Sequence, residues 1–249
     1  MDRQALYREI LEDARELARR AAHPRRGTLS VSPEVRALLE GAPSAPAEQA
    51  AASEAPDPGD SRVTALAGLA ERVAACTQCA LCESRTQTVF SDGSPWARLV
   101  FVGEAPGADE DRQGTPFVGR AGQLLTDIIV KGMRLRREDV YICNVIKCRP
   151  PGNRNPAPEE VAACEPYLIE QLKLIQPEAI CALGSYAARS LLKTEASVGS
   201  LRGQWHDYQG IPLRVTYHPS YLLRNPADKR KAWDDIKAVM ERLDLPVEA

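Results

Sequence analysis

The sequence predicts an α/β protein: a three-layer α/β/α sandwich with a small central parallel sheet, preceded by an N-terminal helix and a disordered linker. Three observations carry that expectation. Four short apolar runs lie at residues 98–103 (RLVFVG), 140–145 (VYICNV), 178–184 (EAICALG) and 213–217 (LRVTY), and three of them are nearly continuous in apolar residues, as strands covered on both faces must be. Helical patterns separate or follow them, at 121–132, 157–175, 186–192 and 227–243. The chain has 249 residues, enough for one sizeable domain with an appendage rather than two full domains.

Taken in order, residues 2–20 place Leu6, Ile10 and Leu17 among charges at helical spacing, which predicts an amphipathic helix and a surface for an unidentified protein partner. Residues 41–60, GAPSAPAEQAAASEAPDPGD, contain four prolines and no apolar side chain larger than alanine, so they lack the surface to order themselves and read as a linker. The expected organisation is a helical extension over 1–40, the linker over 41–60 and one domain over 61–249. In the domain, Pro158 sits near the first turn of its helix, where its missing N–H costs nothing.

Composition narrows the classes of function. No stretch approaches the ~20 apolar residues of a membrane span, and the first twenty residues carry dense charge of both signs, so the expectation is a cytoplasmic protein with no membrane partner, acting as a monomer. Seven cysteines in such a chain argue against a disulfide framework and leave metal binding, catalysis or burial. The net charge of −2 neither requires nor excludes nucleic acid, because a basic patch is a local property.

In open α/β sheets, sites gather beyond the carboxyl ends of the strands. After the first run comes GEAPGADEDRQGTPFVGRAGQLL, residues 103–125, with a strand-end carboxylate at Glu104 and a flat ring at Phe117. It contains neither the dinucleotide nor the P-loop fingerprint. The acidic group Asp109, Glu110 and Asp111 reads equally as a solvated turn. The second run ends in CNVIKCRPPGNRNP, with Asn144 at the terminus and Lys147, Arg149 and Arg154 in a basic loop suited to phosphates. The fourth ends in TYHPSYLLRNP, where His218 holds the equivalent place and Leu222, Leu223 and Arg224 suggest a wedge between stacked bases. The segment CTQCALC holds Cys76, Cys79 and Cys82; Cys148 and Cys164 follow, and Cys143 and Cys181 lie inside apolar strands as small hydrophobes.

GEAPG, PFVGRAG, NVIKCRPPGNR and HPSYLLR, in this order and spacing, resemble the family 4 uracil-DNA glycosylases, the iron-sulfur branch of their superfamily. The resemblance runs from about residue 73 to residue 243. It implies removal of uracil from single- or double-stranded DNA by base flipping, with an abasic site as product. It further implies Glu104 and His218 as catalytic residues, and Ala105, Glu110, Phe117 and Asn144 around the base. Arg149, Leu222, Leu223 and Arg224 would contact DNA. The implied metal ligands are Cys76, Cys79, Cys148 and Cys164, holding a [4Fe-4S] cluster, with Cys82 as a neighbour. Spacing by itself leaves zinc open, since four thiolates suit either metal. A non-catalytic DNA-binding protein with the same fold, and a relative acting on deaminated purines, are the competing readings.

Overall fold

The structure is a computed structural model and describes residues 61–247. The expected helix over 2–20 and the linker over 41–60, with the boundaries they set, lie outside those residues. Helix α1 (Ser61–Ala74) and a single turn α2 (Leu81–Ser84) lead into β1 (Asp92–Gly93) and β2 (Leu99–Gly103). Next come α3 (Ala108–Gln113), α4 (Arg120–Asp127) with a π-helical turn at Ile128–Gly132, β3 (Tyr141–Asn144) and α5 (Pro158–Ile175). The chain continues through β4 (Ala179–Leu183), α6 (Gly184–Leu192), α7 (Val198–Leu201), β5 (Trp205–Tyr208), β6 (Ile211–Thr216), α8 (Pro219–Arg224) and α9 (Lys229–Arg242). No described helix is long and apolar enough to cross a membrane.

The six strands form one sheet in the order β1-β3-β2-β4-β6-β5. The four expected strands are its central, mutually parallel members, and β1 and β5 add antiparallel edges that the sequence pattern does not mark. Burial explains the pattern. Alternate residues of β2 point to opposite faces: Val100 and Val102 pack with Leu168 and Leu172 of α5 and Ala187 of α6. Leu99 and Phe101 pack with Leu125 of α4 and Ile236 and Val239 of α9. Both faces are dry, so a central strand has no polar side to display. The charged interruption is Arg214 in β6. It meets Asp235 of α9, which is fully buried and also takes Arg202, so the inward charge is paired rather than solvated.

Two stretches expected as loops contain short helices. Residues 108–113 form α3 behind Gly107, with three acids in the first turn, where the positive end of the helix dipole favours them. Residues 219–224 form α8, with His218 as N-cap and Pro219 at the first helical position.

Candidate active site

The parallel register sets Gly103 beside Asn144, and the pairing runs past the strand ends: the Val145 N–H donates to the Gly103 carbonyl at 2.9 Å and the Ile146 N–H to that of Glu104 at 3.2 Å. Two chemically different residues, an acid and an amide, are thereby held side by side. A cavity of about 280 Å³ opens there, and Glu104, Ala105, Glu110, Phe117, Asn144 and His218 all line it. The volume lies at the small end for ligand pockets, ~300–1,000 Å³. Residues from three strand ends and two loops, far apart in the chain, converge on this one space.

Asn144 is buried, and its Oδ1 has no hydrogen-bond partner among the described residues. An orphan amide in a cavity wall is costly unless a ligand satisfies it. Gly103 makes this geometry possible, since a Cβ there would lie 2.4 Å from Asn144 Oδ1 and 2.6 Å from the Phe117 ring. Phe117 itself adopts a left-handed backbone, φ 54°, which a phenylalanine occupies only when its surroundings insist. Arg137 is one reason it does: the guanidinium binds the Pro116 carbonyl, Thr126 and Asp92, all at 2.8 Å. The ring then lies 5.7 Å from that of His218, centre to centre.

His218 caps α8. Its Nδ1 accepts the Ser220 N–H at 3.1 Å and meets the Ser220 hydroxyl at 2.8 Å, so Nδ1 is the unprotonated nitrogen and the proton resides on Nε2. Burial, reinforced by the positive charge of Arg224, pulls its pKa down to about 4, so the ring is a neutral donor at pH 7. Glu104 shifts in the opposite sense. Burial alone raises its carboxyl to about 7. Ser220 carries no mark in the sequence beyond the H-P-S order, a cap followed by proline at the first helical position.

The acids of α3 are not a solvated turn. Glu110 accepts the backbone N–H groups of Gly107, Val118 and Gly119 at 3.0–3.1 Å, tying the loop after β2 to the start of α4. Asp111 is buried and accepts the Thr86 N–H. Only Asp109, paired with Arg112, stands at the surface. The basic loop is also reduced. Lys147 is buried and Arg154 is locked on Glu160 through both its terminal nitrogens, which leaves Arg149, half-buried against Asn153, as the candidate for phosphate. Leu222 needs correction too. It points into the core at 2 % exposure, because α8 turns one leucine inward and the next outward, so only Leu223, 38 % exposed, and Arg224 face solvent.

A second cavity collects sulfur. Cys76, Cys79, Cys82, Cys148 and Cys164 line it, with Arg85, Lys147 and Tyr167 in the same wall. The turn between α1 and α2 delivers the first pair, the loop after β3 delivers Cys148, and the second turn of α5 delivers Cys164. Burial raises Cys148, and it pushes Cys164 up to about 11, so neither is a thiolate unless a metal displaces the proton. Cys143 and Cys181 are fully buried in the sheet, away from this cavity.

Comparison with known proteins agrees with this geometry. A family model described as the uracil DNA glycosylase superfamily matches residues 90–237. The type-4 uracil-DNA glycosylase of Thermotoga maritima is 48% identical over 173 residues, covering 68% of this chain and 90% of that protein. Those of Sulfurisphaera tokodaii and Archaeoglobus fulgidus are 40% and 41% identical over 189 and 184 residues, covering 73% and 71% of this chain and 86% and 92% of theirs. Sequence, sheet order and the residues at the strand ends lead to one assignment: the chain belongs to the uracil DNA glycosylase superfamily.

Proposed function

We propose that this protein is a uracil-DNA glycosylase of the iron-sulfur branch, hydrolysing the N-glycosidic bond of deoxyuridine in DNA and leaving an abasic site. The observation that carries the reading is the unpartnered Asn144 Oδ1 in a cavity shared with Glu104, Phe117 and His218. Uracil presents an N3–H donor beside the O4 acceptor, which the two ends of an amide match; cytosine reverses both and leaves buried groups unpaired. Phe117 stacks on the base. Glu110, fixed by three backbone donors, is a rigid wall against the 5-methyl of thymine.

Bond cleavage sends negative charge to uracil O2 while the sugar becomes cationic. The neutral His218 donates from Nε2 to that oxygen without first losing a proton, and the Glu104 carboxylate orients water and offsets the sugar. Release of uracil from a uracil-containing oligonucleotide, with the cytosine analogue untouched, is the test; no release from either strand form rejects the reading.

Only the ionised form of Glu104 serves this role. Its pKa of about 7 means that kcat/KM on single-stranded substrate should fall tenfold per pH unit below about 7 and level off above it, with no acid limb from His218 until about pH 4. A profile flat from pH 5 to 8 contradicts the assignment.

A base inside a duplex must first be extruded, at a cost of a few kcal/mol. Leu223 is the exposed apolar residue placed to hold the vacated space. Leu223→Ala should therefore reduce excision from duplex by about tenfold, and from single strands by less than about twofold. Equal losses on both substrates argue against the wedge.

The sulfur-lined cavity fits an iron-sulfur cluster. Its donors are soft thiols, which suit iron or zinc. The family resemblance, rather than the donor set, favours a four-iron cluster over zinc. Cys76, Cys79, Cys148 and Cys164 would hold it, with Cys82 beside them. When bound it would fasten α1 and α5 to the loop after β3, a structural task.

A further inference from the structure

We propose that Lys147 and Arg85 are the counter-charges of the thiol centre, two fixed cations built into its wall to balance the thiolates that bind the cluster. The proposal rests on the iron-sulfur reading above. Both residues line the sulfur cavity. Arg85 donates from one terminal nitrogen to Cys148 Sγ at 3.2 Å and from the other to the Ala74 carbonyl at the end of α1, at 3.0 Å. Lys147 approaches from within. Its backbone N–H points to Cys164 Sγ at 3.3 Å.

The environment of the Lys147 ammonium makes the case. It is 1 % exposed, and its partners are neutral: the Asn144 carbonyl at 2.7 Å and Gln171 Oε1 at 2.5 Å. Gln171, itself fully buried, is held in that orientation by donating to the Tyr141 hydroxyl and the Phe90 carbonyl. No carboxylate among the described residues pairs with the ammonium. A buried cation surrounded only by dipoles is strongly disfavoured, and a fold retains one where an anion shares its low-dielectric space. The groups nearby that can become anionic are thiols, and each of the two residues touches one: Arg85 donates to Cys148 Sγ and the Lys147 N–H to Cys164 Sγ. Four thiolates around a four-iron core carry net negative charge, which meets the requirement that the buried lysine poses.

Hydrogen bonds to ligand sulfurs and nearby charge set the reduction potential and the retention of a cluster. Removing a positive charge disfavours the more negative, reduced state. The experiment uses the full chain purified without oxygen, comparing wild type with Arg85→Gln, Arg85→Lys and Lys147→Met by visible absorption, midpoint potential and rate of iron loss to a chelator. Arg85→Gln and Lys147→Met should move the midpoint to more negative values and speed iron loss by about tenfold. Arg85→Lys, which keeps the charge, should stay near wild type in potential. If Lys147→Met proves insoluble, the half-exposed Arg85 decides the matter. A brown wild type with potential and iron loss unmoved in Arg85→Gln overturns this inference alone. A wild type without iron or its visible absorption overturns the iron-sulfur reading and this inference together.

Discussion

Replacing His218 with alanine should lower kcat for uracil release by about 100- to 1,000-fold while changing KM little, the cost of losing one donor aimed at developing negative charge. His218 precedes Pro219 at the head of α8, and its Nδ1 is committed to the Ser220 N–H, so the single proton sits on Nε2. Burial keeps the ring neutral, which matters because a neutral donor forms its strongest bond only as the oxygen turns anionic. Loss of the imidazole should thus be felt in the transition state rather than in substrate binding. Ser220→Ala, which removes the hydroxyl but keeps the backbone donor to Nδ1, should cost under about tenfold by the same logic. A His218→Ala enzyme within threefold of wild type, measured by single-turnover release from single-stranded substrate, removes His218 from the mechanism.

How much of this was legible beforehand follows from physical period and distance. Strands such as AICAL advertise themselves because both faces are buried and polarity has nowhere to go. The edge strand WHDY hides because one side is wet and its partner runs antiparallel, leaving no apolar run. Helices α3 and α8 hide because six residues span under two turns, too few for a 3.6-residue period to show. Helix α1 was missed although Leu66, Leu69 and Val73 keep helical spacing, since it adjoins the proline-rich segment and its apolar stripe is thin. At the cavity, residue types at strand ends were readable, because a parallel sheet gathers its carboxyl ends. Which charges are spent internally was not. Glu110 reaches nine residues along the chain for the Gly119 N–H, and Lys147 reaches twenty-four for Gln171, and nothing local records such partners. The two leucines of LLR show the same limit: a single residue step along α8 separates a core residue from an exposed one, and only the packed helix says which is which.

Cys148→Ala should cost the protein both its fold and its hold on DNA. The residue sits in the loop that follows β3, four positions after Asn144, and its thiol shares a cavity with thiols from the α1–α2 segment and from α5. Metal bound only by the assembled site contributes its binding free energy to folding, about 10 kcal/mol or more in structural thiolate sites, against a total stability of ~5–15 kcal/mol for a typical domain. Removing one of the four proposed ligands should therefore threaten the whole margin, and calorimetry should find a Tm lower by more than ~10 °C, or insoluble protein at 37 °C. The loop that carries Arg149 loses its fastening at the same time, so affinity for uracil-containing DNA should fall with stability. Cys181→Ala and Cys143→Ala are the controls. Each removes a fully buried sulfur from the sheet without touching the cavity, so each should cost ~1 kcal/mol and leave the visible absorption intact. Cys82→Ala separates neighbour from ligand: retained absorption leaves Cys76, Cys79, Cys148 and Cys164 as the ligand set, and its loss would place Cys82 among them. If Cys148→Ala melts where the two sheet variants melt and binds DNA as tightly, the cavity is packing, and the fastening of the DNA-facing loop must come from the Lys147 and Gln171 bonds alone.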